Sequence, residues 1–160
     1  MTTSWATATL VAATITNGLM AGLFAAYSYA VMPGLGRASD RTFVEAMQQT
    51  NAAILNGWFG LCFGGAVVFA ALAAFLHRGR PGVWWVVAGL ALYVAVLVVT
   101  FAINVPLNDA LAAVADPTDL AGVRARFEWT WVRWNVVRAV LSTGAFGCLT
   151  WALVVAGRVA

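Results

Sequence analysis

Four residues near the C-terminus stand at a spacing that chemistry can use. Trp131, Asn135, Arg138 and Ser142 fall at i, i+4, i+7 and i+11, which puts an indole, a carboxamide, a guanidinium and a hydroxyl on one stripe of a helix. Trp134, one turn before Arg138, borders that stripe. A guanidinium, a carboxamide and indoles gathered on one stripe in apolar surroundings are groups that can contact a ligand. The opposite side of the same helix is Val, Ala and Leu, and the run from Val132 to Ala156 is long enough to cross a bilayer. An arginine about two turns inside a membrane helix costs roughly 2.5–3.5 kcal/mol on insertion scales, so Arg138 is expected to face other helices and find partners there.

Candidate partners lie in two polar stretches. Between residues 39 and 53, Thr42, Glu45, Gln48, Gln49 and Asn51 are interleaved with Phe43, Val44 and Met47. That pattern predicts a short amphipathic helix capped by Ser39 or Asp40, lying on the membrane or folded over the mouth of a helix bundle. Glu45, Gln48 and Asn51 follow one another at three-residue steps, with Gln48 at the centre of a small carboxylate-carboxamide cluster. The second stretch is Asn104-Val-Pro-Leu-Asn108. Pro106 disfavours helix at Val105 and suits a restarted first turn, so Asn104 reads as the end of one helix and the cap of a short one over 106–115. Asp116-Pro117-Thr118-Asp119 reads as a turn and cap, and a helix from about 119, carrying Glu128, leads into the last apolar run.

The elements that position these groups follow from composition. The 160 residues are 62% hydrophobic and 9% charged, with a mean hydropathy of +0.86, against about 25% charged residues in soluble domains. This is an integral membrane protein, all-α, with spans near 6–31, 54–76, 83–104 and 131–157 forming one four-helix bundle domain over 1–160. The first apolar run lacks the basic start of a signal peptide and reads as a retained helix. Met32-Pro33-Gly34-Leu35-Gly36 is expected to stop it. Asn17 reads as an interhelical hydrogen bond, and Gly18-xxx-Gly22 and Gly60-xxx-Gly64 as surfaces for close helix approach or a homo-oligomer.

Other chemistries find little support. Nine Arg and no Lys are spread thinly, so nucleic acid is not an expected partner. Cys62 and Cys148 sit mid-helix as packing residues, and His77 lies in a basic turn without metal-ligand neighbours. No metal and no cofactor are expected. The short turn 77–82 carries Arg78 and Arg80 without an acid, and Arg158 lies near the C-terminus. This favours both termini in the cytoplasm, in a bacterial inner (plasma) membrane.

The order of spans brings the ends of the first and third and the starts of the second and fourth to one membrane face. That face gathers Glu45, Gln48, Asn51, Asn56, Asn104, Asn108, Glu128, Trp131, Trp134, Asn135 and Arg138, and the opposite face almost nothing polar beyond its loop charges. A polar, aromatic-walled pocket floored by Arg138 is expected, suited to a hydrophobic aromatic small molecule in a setting of membrane lipid. The competing reading is structural: the carboxamides cap helix ends, and Arg138 is a charge bonded to carbonyls and to Glu128 or Glu45.

Gln48-x-x-Asn51, Asn104-Val-Pro-Leu-Asn108 and Trp131-x-x-x-Asn135-x-x-Arg138 together resemble the anthrone oxygenase-like family of small four-helix membrane proteins. The resemblance covers nearly the whole chain. It implies a membrane oxidoreductase of monooxygenase type, turning an anthrone or similar phenolic aromatic into a quinone with dioxygen and no cofactor. In that scheme Arg138, with Asn135 or Asn104, holds the enolate oxygen, Glu45 or Glu128 is the base, and Trp131 and Trp134 wall the rings. Gln48, Asn51, Asn104 and Asn108 are the further substrate-binding candidates. The alternative class is a non-enzymatic bundle that binds a quinone, a lipid or a partner helix.

Overall fold

The computed structural model describes residues 2–114 and 118–158. All secondary structure among them is helical, as apolar segments require when no water is at hand to satisfy the backbone. Four helical segments are long and apolar enough to cross a membrane: Ser4–Leu35, Gly57–Leu76, Val83–Ala112 and Leu120–Gly157.

The first segment is α1 (Thr2–Ala26), a π-turn over Tyr27–Val31, and α2 (Met32–Leu35). The expected stop at Met32-Pro33 does not occur there. Met32 N–H donates to Tyr27 O, a bond to the fifth residue back, and Pro33 opens the continuing helix. The third span repeats the device. It runs as α5 (Val83–Val99), a π-turn over Thr100–Asn104, and α6 (Val105–Ala112), with Val105 N–H on Thr100 O just before Pro106. Asn104 therefore ends no helix and caps none; its backbone is helical and its side chain makes no cap bond. In both places the swollen turn relieves the press of the proline ring on the preceding carbonyls, so the chain passes through without breaking.

Between the first two spans lies α3 (Asp40–Ala53), opened by Ser39, whose Oγ accepts from Thr42 N–H. It buries Phe43, Val44 and Met47, as its pattern predicted. Asn56 caps α4 (Gly57–Leu76) by accepting from Phe59 N–H at 3.0 Å. The turn to α5 is made by Gly79 and Gly82, both at positive φ. Asp119 caps α7 (Leu120–Gly157). The other part of the expected turn, Asp116 and Pro117, lies outside the described residues. At 1.5 Å per residue α7 spans about 57 Å, nearly twice a hydrocarbon core of about 30 Å, so its first turns stand clear of the bilayer beside α3.

α1 packs on α4 and α7, and α5 packs on α7 and, more thinly, on α4. Three apolar clusters stack along the axis. The end nearest the termini is filled by Leu10, Ala70, Val86 and Leu149, the middle by Phe24, Tyr93 and Val96, and the far end by Phe43, Met47, Phe127 and Trp131. Outward-facing Ile15, Val68, Phe75, Val98 and Val140 are exposed, as lipid contact demands. Asn17 bonds Ala66 O across to α4.

Close approach occurs at Gly18, where a Cβ would stand 3.0 Å from Phe146, and at Gly89, where it would stand 3.0 Å from Leu149 and 3.1 Å from Ala145 O. The expected Gly60-xxx-Gly64 approach is not used within the chain, because a Cβ at either position would meet nothing within 4 Å. Gly89→Val is therefore expected to destabilise the protein by about 1–3 kcal/mol through overpacking, and Gly60→Ala to leave it unchanged or raise it by up to about 1 kcal/mol. Thermal unfolding of the two variants in detergent checks the contrast; equal midpoints would show that the α5–α7 approach is not tight.

Candidate functional site

The π-turns decide which side chains meet. Beside the first, the carbonyl of Phe24 accepts from Ser28 Oγ at 2.9 Å and from Asn135 Nδ2 at 3.0 Å. Asn135 Nδ2 also donates to Ser28 Oγ at 2.9 Å, while its Oδ1 accepts from Arg138 Nη2 at 2.9 Å. Asn135 is thus saturated and fixed, a buried bracket between the first and last spans that holds the guanidinium in one orientation.

Arg138 is only 6% exposed and, among the described residues, forms no ion pair. Its charge is faced by π-clouds instead, with Phe24 at 4.5 Å and Trp131 at 5.4 Å from ring centroid to Cζ. Its Nε is buried without a partner. The structural reading that paired Arg138 with Glu128 or Glu45 is not what the fold forms. Glu128 is held by Arg124 at 2.6 Å, and Glu45 is a surface residue, 60% exposed, 3.3 Å from Arg41.

Arg138 lines a cavity of about 630 Å³ that receives walls from all four spans and from α3, within the usual range for small-molecule sites of roughly 300–1,000 Å³. Gln48, Asn51, Asn104, Asn108, Trp131, Asn135 and Arg138 all line it, so the fold brings seven of the expected site residues together. Trp131 Nε1 donates to Asn108 Oδ1 at 2.8 Å, and its carbonyl accepts from Asn104 Nδ2 at 3.4 Å. Gln48 Nε2 donates to the carbonyls of Leu111 and Val114, which anchors α3 over the end of α6. Two more lining atoms are buried without partners, Asn51 Nδ2 and Asn104 Oδ1. With Arg138 Nε they make two donors and one acceptor, a set that a ligand with a carbonyl and a hydroxyl would satisfy.

Three expected site residues do not line the cavity. Glu45 and Glu128 are engaged as described, and Trp134 is half-buried elsewhere on α7. Sequence reasoning missed Asp109, the one carboxylate among the described lining residues, and the rings of Tyr27, Phe59, Phe63 and Phe101. Asn56, Phe59 and Phe63 at i, i+3 and i+7 form a stripe that could have been found. Asp109 follows Asn104 by five residues, a spacing that an unbroken helical count sets aside.

With this geometry in place, the comparisons with known proteins give one finding. A family model described as anthrone oxygenase matches residues 56–148, more than half of the chain, taking in the second and third spans and the Trp131–Arg138 stripe. No curated protein and no solved structure matches.

Asn135→Leu removes the Arg138 bond and the two bonds that Asn135 Nδ2 donates to Phe24 O and Ser28 Oγ, with an expected loss of about 3–5 kcal/mol. Adding Arg138→Met, which removes the stranded charge, is expected to recover part of it. Denaturation of the two single variants and the double variant in detergent measures the coupling; strict additivity would mean that Asn135 does not hold Arg138.

Proposed function

We propose, on the premise that this chain belongs to the anthrone oxygenase family, that its cavity oxidises a planar phenolic aromatic with dioxygen, as anthrone to anthraquinone. The observation that carries this reading is Arg138, a buried guanidinium among aromatic faces with no carboxylate partner among the described residues. A cation left uncompensated in low dielectric is suited to a charge that appears only during reaction.

The benzylic C–H of an anthrone is acidic because its anion is an aromatic enolate. The base takes that proton, and Arg138, steadied by Asn135, receives the enolate oxygen. The enolate gives one electron to dioxygen, and the resulting radical pair forms a C–O bond to a peroxide. Loss of the remaining C–H proton with cleavage of the O–O bond leaves the second carbonyl and water. One substrate and one O₂ become one quinone and one H₂O, with no resident cofactor needed. Asp109 lines the cavity, so it replaces Glu45 and Glu128 as the proposed base. Asn104 Oδ1, unpaired and buried, is an acceptor for a phenolic hydroxyl. Tyr27, Phe59, Phe63, Phe101 and Trp131 supply faces for the rings.

Oxygen uptake and quinone absorbance with anthrone and detergent-purified protein test this. Arg138→Met is expected to lower turnover by about 10²-fold or more, Asp109→Asn by about 10²-fold, and Glu45→Gln by less than about two-fold. Full turnover in Arg138→Met would sink the mechanism. Retained binding with turnover untouched by Asp109→Asn would move the base elsewhere, and binding without turnover in the native protein would leave a quinone- or lipid-binding protein. The same reading keeps both termini in the cytoplasm, because Arg78, Arg80 and Arg158 lie at the end near the termini in segments without an acid, whereas Arg37, Arg41, Arg124 and Arg126 lie in the long connections that also hold the acids. A C-terminal tag should resist protease added outside spheroplasts; cleavage from outside would reverse the orientation.

A further inference from the structure

We propose that the ligand of this cavity arrives sideways from the bilayer, through a slot between the first turns of α4 and the π-turn after α5, and that phenyl rings along the slot select flat apolar molecules. The inference rests on the reading that the cavity takes such a ligand, whether it is oxidised or only bound.

The slot is visible in residues that belong to two surfaces at once. Leu55 and Phe101 line the cavity, yet are 79% and 62% exposed on the outside of the protein. Gly60 lines it too, is exposed, and has open space where a Cβ would stand. These residues come from the second and third spans, the pair with the thinnest mutual packing around the ring of helices. Lower down the seam is shut: Tyr93 Oη donates to Phe63 O at 3.1 Å, and the two rings meet at 6.2 Å. Above that bond three phenyl rings line the cavity beside the opening. Phe59 stacks on Phe63 at 5.1 Å and 14°, and Phe101 meets Phe63 edge-on at 6.1 Å.

Depth argues for lipid as the medium of entry. Phe63 stands six residues into α4, about 9 Å along the axis, beyond exposed Trp58 at the expected interfacial level. The polar lining residues Asn56, capping α4, and Asp109, in α6, stand farther along their spans toward the cavity-end surface than Phe63 and Phe101. A flat aromatic dissolved in the membrane would thus meet phenyl faces first and Arg138 last. It would not return to water on the way, a step opposed in proportion to its apolar area. Stacked and edge-on rings offer π-faces to a planar guest and little room for a branched one.

The test uses the native chain in lipid nanodiscs with anthraquinone as probe and measures association and dissociation separately. Gly60→Trp, which grows into open space, is expected to slow both rates about ten-fold and leave Kd within about three-fold, the mark of a blocked route. Phe101→Ala, which widens the slot and removes one ring face, should speed association and, still more, dissociation, and Ala112→Trp, at an exposed lining position near the end of α6 away from the slot, should leave both within about two-fold. Slowing by Ala112→Trp without slowing by Gly60→Trp would put the route through the aqueous mouth and overturn the slot. So would a Gly60→Trp effect confined to faster dissociation, which marks a filled pocket. A native protein that binds no anthraquinone would sink the ligand reading itself, and the slot with it.

Discussion

A guanidinium buried among helices, with no acid paired to it among the described residues, is the constraint around which the rest of this structure is arranged. Taking such a charge out of water costs several kcal/mol even after relaxation, and the chain meets that cost with a carboxamide and two aromatic faces. Asn135 can orient Arg138 only because its own amide is held by Phe24 O and Ser28 Oγ on the first span. The bracket therefore needs α1 and α7 in fixed register. It also needs a carbonyl that the helix can share, and the π-turn next to Phe24 sits where one is shared. The compensation is incomplete, since among the described residues Nε has no partner.

Arg124 makes the contrast plain. On the same helix, four turns earlier, its guanidinium is fully engaged. Nε and Nη2 bond Glu128, Nη1 bonds Asp40 Oδ1 and Ala38 O, Nη2 also reaches Gly36 O, and the ring of Phe43 lies 4.6 Å away. This knot ties the entrance of α3 to the part of α7 that stands clear of the bilayer. It holds the helix carrying Gln48 and Asn51 over the cavity. One arginine is satisfied and serves architecture; the other is left short of partners and faces the cavity. Glu128 belongs to the first, which is why it is not free to act in the second.

The two prolines have a related consequence. A helix that broke at Pro106 would leave Asn104 at an end, bonded to backbone. Because Thr100–Asn104 swells into a π-turn instead, Asn104 stays on a continuous span, turned inward to Trp131 O with Oδ1 unpaired. One residue in a helix is about 100° of rotation, so the extra residue also changes which of Asn108 and Asp109 can reach the cavity. Both do.

Much of this was legible in the residues alone. The excess of apolar side chains over charge demanded membrane helices, and their lengths marked the spans. The i, i+4, i+7 spacing put Trp131, Asn135 and Arg138 on one stripe, and the order of spans sent the polar residues to one end. These follow from helical periodicity and hydrocarbon thickness, which act locally along the chain. Which acid pairs with which base, whether Gly60 touches a neighbour, and where a proline is absorbed rather than obeyed were decided only by tertiary structure. Each depends on the rotation of one helix against another, and a single π-turn resets that rotation without a trace in the hydrophobic pattern. Arg138 was marked as needing partners by its place in the sequence; that they would include a carboxamide and two rings, and neither Glu45 nor Glu128, needed the folded chain.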